Sequence, residues 1–348
     1  MPARNAVGLD IGTSSVRAAE LSYGRDGITL EKFGQVALPP GAVVDGEVVD
    51  RDAVRTALKS LWKGSGFTAK RVALGVANQR VVVRQIDLPW MTRSELKESL
   101  ALQVQDYLPM AVEDSVLDFH VTEELNGPEG RQLRGLLVAA ARETVMSNVA
   151  AVQDADLRVT SVDLTSFAVL RSAGRQHSEV ATEALLDIGS RVSNLVIHSG
   201  GTPRFVRILL SGGQDVTDAV AERLGVPAAL AEAIKRGTAG DLNPQEAELA
   251  ASAVQLMTEV FVDEIRSSLD YYGASNAQFP VERILLSGGG SLLPGLASHL
   301  EQVTRRSVHV ADVLGGVRVG RTGLDDDQLA AIHPLAAVPV GLALGVIS

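Results

Sequence analysis

The sequence predicts an α/β protein made of two related lobes of similar size, and three observations carry that expectation. The chain has 348 residues, too many for one small core and enough for two domains of ordinary size. A segment VGLDIGTSSVRAAEL, starting at Val7, returns in style as ALLDIGSRVSNLVIH, starting at Ala184, about half the chain later. Both copies read as apolar strand, tight Asp-Ile-Gly-Thr/Ser turn, second strand, and such a repeat points to duplicated units.

Composition narrows the function. The chain is 46% hydrophobic and 21% charged, ordinary for a packed protein. Its net charge of −10, from 32 basic and 42 acidic side chains, argues against nucleic acid and against an anionic membrane surface as direct partners. There is no cysteine, so disulfides, thiolate metal sites and cysteine nucleophiles are excluded. The start, MPARNAVGLDIG, lacks the apolar core of a signal peptide. No apolar run reaches the roughly 18 to 20 residues that a spanning helix needs. The run Leu335 to Ile347 is shorter, contains Pro339, Gly341 and Gly345, and reads as a buried terminal helix. A cytoplasmic location fits all of this.

In chain order, the first hairpin turns at Gly12, whose backbone freedom suits a tight turn. Thr13, Ser14 and Ser15 follow it. Exposed amides and hydroxyls of this kind suit phosphate oxygens, and an acid just before the glycine, Asp10, suits a hydrated divalent cation. Val54, Leu58, Leu61 and Trp62 have helical spacing within 50–63. Residues 71–88 read as two strands. Thr92 with Glu95 forms a capping-box pattern opening a helix with Leu96, Leu100, Val104 and Leu108 on one face, ended by Pro109. NGPEG (126–130) separates two more strands, and 142–155 reads as a helix. The second hairpin turns at Gly189, with Asp187 before it and Ser190 and Ser193 after it. Helices are expected around Val216, Val220 and Leu224, at 228–236, and from about 245 to 272. Finally, strand Arg283–Leu286 leads through SGGG (Ser287–Gly290) into a helix expected at Leu292–Leu300. Three glycines there allow close backbone approach to a flat ligand, or simply make a convenient turn. No GxxxxGK[ST] occurs, so this is not a P-loop. The six histidines, His120, His177, His198, His299, His309 and His333, have no metal-ligand spacing and receive no role.

Taken together, the DIGT hairpin, the DIGS hairpin and the later SGGG turn resemble the phosphate-1, phosphate-2 and adenosine motifs of the actin, heat-shock chaperone and sugar kinase superfamily. The resemblance implies a two-lobed actin-like (ribonuclease H-like) fold holding ATP and Mg²⁺ between the lobes. It implies nucleotide contacts at Gly12, Thr13, Ser14, Ser15, Arg17, Gly189, Ser190, Arg191, Ser193, Gly288, Gly289 and Gly290, with Asp10 and Asp187 reaching Mg²⁺ through water. LAEAIKRG resembles the helix that touches the nucleoside, which puts Glu232 and Lys235 there; an exposed salt-bridging pair one turn apart is the other reading. SVDLTSFAVLR resembles the connecting motif, which puts Asp163 near the attacking water or the metal, or makes it a helix-capping acid. Arg17 stands where many relatives carry lysine, with different reach and geometry.

RQIDLPWMTRSELKESLALQVQDYLP (84–109), with the start and the AVPVGLALG end, resembles the type IV pilus assembly PilM family over essentially the whole chain, with the division protein FtsA next. That resemblance implies an extra small subdomain in the first lobe and a partner, the N-terminal tail of a PilN-like inner-membrane protein. The tail would dock between the first lobe and the subdomain, near Leu88, Pro89, Leu96, Leu100 and Tyr107, although Leu96 and Leu100 also fit a subdomain core. Self-association into a ring or filament is a further possibility. The expected divisions are 1–83 and 139–180 for the first lobe, 84–138 for the inserted subdomain, 181–214 and 279–348 for the second lobe, and 215–278 for its satellite. Nucleotide is expected to act mainly as a structural or regulatory ligand, with at most slow ATPase turnover. The alternatives are an FtsA-like filament protein, which would need a C-terminal amphipathic tail, and a small-molecule kinase, which would need a substrate pocket with its own base.

Overall fold

The structure is a computed structural model that describes residues 4–25, 27–127, 130–174 and 182–346. His177, the tip of the NGPEG turn, Ile347 and the expected boundary at 180/181 lie outside the described residues. In the first lobe, β1 (Arg4–Ile11), β2 (Ser15–Gly24) and β3 (Gly27–Ala37) form an antiparallel meander in which Asp10 stands opposite Arg17. A small hairpin, β4 (Val43–Val44) and β5 (Glu47–Val48), precedes α1 (Arg51–Gly64). The Asp50 side chain caps α1 by accepting from the Ala53 amide at 2.9 Å. Val54, Ala57, Leu58 and Leu61 are its buried face. β6 (Arg71–Val76) then lies parallel to β1.

The chain next leaves the lobe. β7 (Val81–Pro89), α2 (Arg93–Val104), β8 (Ser115–Gly127) and β9 (Gly130–Ala141) form a three-stranded sheet, order β7-β9-β8, covered by α2. α3 (Arg142–Asp154), β10 (Arg158–Leu164) and α4 (Thr165–Ala173) return to the first lobe, where β10 lies parallel to β6. The second lobe repeats the plan. β11 (Thr182–Ile188), β12 (Ser193–Ser199) and β13 (Thr202–Leu209) are antiparallel. Helices α5 (Gly213–Leu224), α6 (Ala228–Lys235) and α7 (Pro244–Ser275) follow. β14 (Val281–Ser287) lies parallel to β11, and after α8 (Leu296–Thr304), β15 (Ser307–Val310) lies parallel to β14. β16 (Val317–Val319), α9 (Asp326–Ile332) and α10 (Ala337–Gly345) finish the described chain.

The strand orders β10-β6-β1-β2-β3 and β15-β14-β11-β12-β13 are the same pattern twice, so the half-chain repeat is a repeat of structure. Two helices join the copies. α4 and α10 pack on each other so closely that a Cβ on Gly341 would sit 1.8 Å from the Ala168 carbonyl oxygen. One apolar cluster runs from Leu21 and Leu30 of the first sheet through these helices to Leu185 and Leu285 of the second.

Several expectations change. α2 ends at Val104 and passes into a 3₁₀ turn, Gln105–Tyr107, instead of running to Pro109; Leu108 is extended, as residues before proline prefer. The helix expected at Leu292–Leu300 begins at Leu296, because Leu293 is extended before Pro294 and Gly295 follows at φ +80°. The inserted sheet spans Val81 to Ala141, wider than 84–138. The stretch 279–348 is shared between lobes: β16 pairs with β3, and α10 packs on β1, β2 and β6. Among the described residues, no single helix is long and apolar enough to cross a membrane.

Candidate functional site

The two Asp-Gly turns meet at the junction of the lobes. Asp10, Gly12, Thr13, Ser14 and Arg17 from the first, and Asp187, Gly189 and Ser190 from the second, line one cleft of about 50 Å³. Each turn is closed by its own backbone: Gly12 N–H donates to Ser15 O at 3.0 Å, and Gly189 N–H to Val192 O at 3.2 Å. The amides of Thr13, Ser14, Ser190 and Arg191 make no hydrogen bond to another described residue. Free amides in a tight turn form an anion-binding concavity.

The charges at the cleft are buried and few. Arg17 Nη2 lies 2.9 Å from Asp10 Oδ2, and Arg17 Nη1 donates to Leu335 O at 3.4 Å. Burial pushes the Asp10 carboxyl up from its ordinary value, opposed by Arg17. Burial pushes Asp187 up to about 6; Arg17 and a 2.9 Å hydrogen bond from the Ser287 hydroxyl oppose the rise, and the Asp10 charge adds to it. Two buried carboxylates share one guanidinium, so the cleft has room for positive charge. Among the described residues no cluster of three or more His, Asp or Glu could hold a metal. A direct protein cage is therefore absent there, whereas a hydrated Mg²⁺ needs only one or two carboxylates and the phosphates themselves. The donor set fits that ion.

Other predicted residues are placed differently. Ser15 is buried at the start of β2. Ser193 is buried and donates to Ser211 O at 2.7 Å, tying β12 to the end of β13 rather than facing the cleft. Arg191 is drawn onto the first two turns of α5 by Asp215, at 2.7 Å, and by Asp218. Asp163 is not among the cleft residues: it sits on β10 and pairs with Arg171, itself bonded to Gly341 O at 2.9 Å. Its Oδ1 accepts from the next amide, Leu164, and α4 has no side-chain cap, so it is not a helix-capping acid either.

Glu232 and Lys235 form the i, i+3 ion pair, at 2.6 Å. Lys235 Nζ also donates to Gly213 O and to Thr217 Oγ1, each at 2.8 Å. Burial works against the Glu232 carboxylate, but hydrogen bonds from Lys235, Thr217 and Arg236 outweigh it and hold its pKa below the ordinary range. Lys235 also stands on the wall of an open groove of about 780 Å³ between α6, α7 and α8. Gly288, Gly289 and Gly290 form the turn after β14, pinned by a 2.7 Å bond from Gly288 N–H to Pro334 O. Here glycine is required by packing: a Cβ on Gly288 would lie 2.4 Å from Ile188 O, and one on Gly290 2.3 Å from Ile188 Cγ2.

Asn194, Thr165 and Gly75 are among the cleft residues that escaped sequence reasoning. Asn194 stands opposite Asp187 as Arg17 stands opposite Asp10; laying the two repeats over each other would have found it. Its Oδ1 accepts from Thr165 and Ser166, both at 2.9 Å. Thr165 lines the cleft two residues after Asp163, at the point where β10 turns into α4. Gly75, on β6, lines the floor.

The expected partner groove is largely filled by its own lining. Leu88, Leu96 and Leu100 are buried between α2 and the three-stranded sheet with Ile86, Val104 and Phe119. They are the core of the subdomain, because α2 needs an apolar face to sit on the sheet. Pro89 and Tyr107 are exposed. The subdomain is tied to the first lobe by polar links: Arg80 reaches Glu47 and Glu143, and Arg142 donates to the carbonyls of Glu113, at 3.0 Å, and Ser115, at 2.8 Å.

Comparison with known proteins agrees with this architecture. A solved PilM–PilN type IV pilus biogenesis complex contains a chain 29% identical, aligned over 99% of this chain and 98% of that one, with a TM-score of 0.87. The ethanolamine utilization protein EutJ from Carboxydothermus hydrogenoformans shares the fold at 16% identity, over 99% of this chain and 90% of that one, with a TM-score of 0.56. The cell division protein FtsA of Streptococcus pneumoniae is 25% identical, over 88% of this chain and 76% of its own length. The expected two-lobed actin-like class is thus the observed one. Residues 8–346 match the model of the type IV pilus assembly protein PilM, and the chain belongs to that family.

Proposed function

We propose that this chain is a nucleotide-binding platform of a type IV pilus machine that docks the N-terminal tail of a PilN-like inner-membrane protein. The observation that carries the reading is the likeness, over 99% of the chain, to a protein solved with PilN. The small subdomain, standing on the first lobe through Arg80 and Arg142, offers a junction for an extended tail. With Leu88, Leu96 and Leu100 committed to its core, tail contacts fall to exposed neighbours such as Pro89 and Tyr107. A cytoplasmic site, recruited to the inner face of the membrane through that tail, follows from this reading.

The cleft between the turns supports ATP and Mg²⁺ as ligands. The free amides of Thr13, Ser14, Ser190 and Arg191 would take phosphate oxygens, and Asp10 and Asp187 would hold the water shell of the cation. Mg²⁺ would neutralise phosphate charge between them. At about 50 Å³ the cleft is narrow, so the lobes separate to admit a triphosphate, and the ligand biases their orientation. With Asp163 paired to Arg171, no acid other than Asp10 and Asp187 lines the cleft among the described residues. Slow turnover follows, and a steady-state rate far above about 1 s⁻¹, an ordinary enzymatic value, would refute it.

Calorimetric titration with a synthetic peptide from a PilN N-terminus, with and without Mg-ATP, tests the reading. Saturable binding is expected, with an affinity that changes with nucleotide. Absence of binding in both states, with ATP itself still bound, would remove the pilus-platform assignment and leave the nucleotide site.

A further inference from the structure

An apolar cavity of about 120 Å³ lies in the second lobe, behind the glycine turn, and neither the nucleotide cleft nor the inserted subdomain uses it. Val216 of α5, Phe261 of α7 and Leu296 of α8 form its body, and Ile188 and Gly290 its inner wall. It is open to solvent, and its mouth carries exposed apolar side chains: Leu210 is 41% exposed and Val260 55%. Leu256, one turn before Val260 on α7, is 59% exposed. Scattered surface apolar residues are ordinary, but apolar side chains ringing an apolar pocket mark a binding surface. The volume is that of one ring or one branched aliphatic side chain, since an engineered cavity of about 150 Å³ accepts benzene.

The charge around it indicates what comes. On α7, within about two turns of Val260, Glu259, Asp263 and Glu264 stand against one basic residue, Arg266. Glu264 stands at the mouth, held by the Ser211 hydroxyl at 2.6 Å. An apolar stripe with one pocket, set in an acidic helix, matches a basic amphipathic helix that inserts one apolar anchor.

We propose that this face of α7 is a docking site for a basic amphipathic helix of a partner protein, with one apolar side chain seated in the cavity bounded by Val216, Phe261 and Leu296. It is separate from the junction proposed for the PilN-like tail.

The test uses the full chain and a fluorescent leucine–lysine model helix carrying benzoylphenylalanine at one apolar position. Saturable binding by anisotropy is expected, at least about tenfold tighter than for a scrambled peptide of the same composition, a gap of about 1.4 kcal/mol. Val260→Asp, on an exposed position, should weaken it about tenfold or more and leave Mg-ATP binding unchanged. Photolysis should attach the probe to Met257 or its neighbours on α7. No saturable binding, equal binding of the scrambled peptide, indifference to Val260→Asp, or attachment elsewhere would each overturn the proposal. So would sedimentation showing that Val260→Asp dissolves a self-associated form, since the occupant would then be a second copy.

Discussion

Replacing Asp187 with Asn should stabilise the ligand-free protein at neutral pH while weakening its hold on Mg-ATP. In the fold this carboxyl titrates at about 6 instead of its ordinary 3.8. The folded state therefore holds the proton more tightly than the unfolded state. That stabilising contribution is complete below pH 3.8 and is lost as pH rises through about 6. At 1.36 kcal/mol per decade, ionising Asp187 in the folded protein at pH 7.5 costs about 3 kcal/mol. Asparagine keeps an oxygen for the Ser287 hydroxyl and never ionises. The variant should match the natural protein near pH 4 and exceed it by up to about 3 kcal/mol above pH 7, a rise of several degrees in Tm for a chain of this size. Scanning calorimetry of both proteins between pH 4 and 8, without nucleotide, measures the difference. With Mg-ATP added, the natural protein should gain more than the variant, because the cation loses one of its two carboxylates. A Tm difference that is constant across pH, or a variant less stable at pH 7.5, would refute the idea that a buried charge is held there at a cost.

Arg17→Ala should act in the opposite sense. It removes the cation that pairs with Asp10 and lowers Asp187, and stranding a buried partner typically costs about 3–5 kcal/mol. The loss should be larger at pH 7.5 than at pH 5, where protons can replace the guanidinium; an equal loss at both would mean that Arg17 acts by packing alone. Gly341→Ala should lower the urea midpoint at unchanged slope, reporting a stability loss of roughly 1–3 kcal/mol typical of overpacking, since its new methyl would meet the Ala168 carbonyl. An unchanged midpoint would mean that α4 and α10 slide apart freely.

The fold was legible because its signals are local or repeated. The two Asp-Ile-Gly turns, the Thr92–Glu95 capping box and the faces of α1 and α3 each depend on a few neighbouring residues. What was misread depended on partners far along the chain. Leu88, Leu96 and Leu100 look the same in sequence whether they line a groove or fill a core; the sheet that covers them, through Phe119 and Leu133, decides. Asp163 carries a plausible motif, yet Arg171, eight residues on in α4, claims it. Arg191 follows the right glycine, yet Asp215 and Asp218 draw it to α5. Both helix errors, at Leu108 and Leu293, were local and avoidable, because each residue precedes a proline. In the second lobe, buried Glu183 lies beside buried His198 and is reached by Arg283, a cluster that no spacing announced, being brought together by strand register alone.

The first sheet is not finished by the first half of the chain. Its β3 edge is covered by Val317–Val319, and its β1 face is covered by α10. On the ribosome, the Asp10 hairpin therefore emerges long before the residues that seal it, and it must wait through the synthesis of the whole second lobe. During that interval an apolar sheet face is bare and a natural client for a chaperone. With the chain exposed only as far as residue 316, the Asp187 turn would already have β14 and Ser287 beside it while the Asp10 turn still lacked β16 and α10, so the cleft can be completed only late in synthesis.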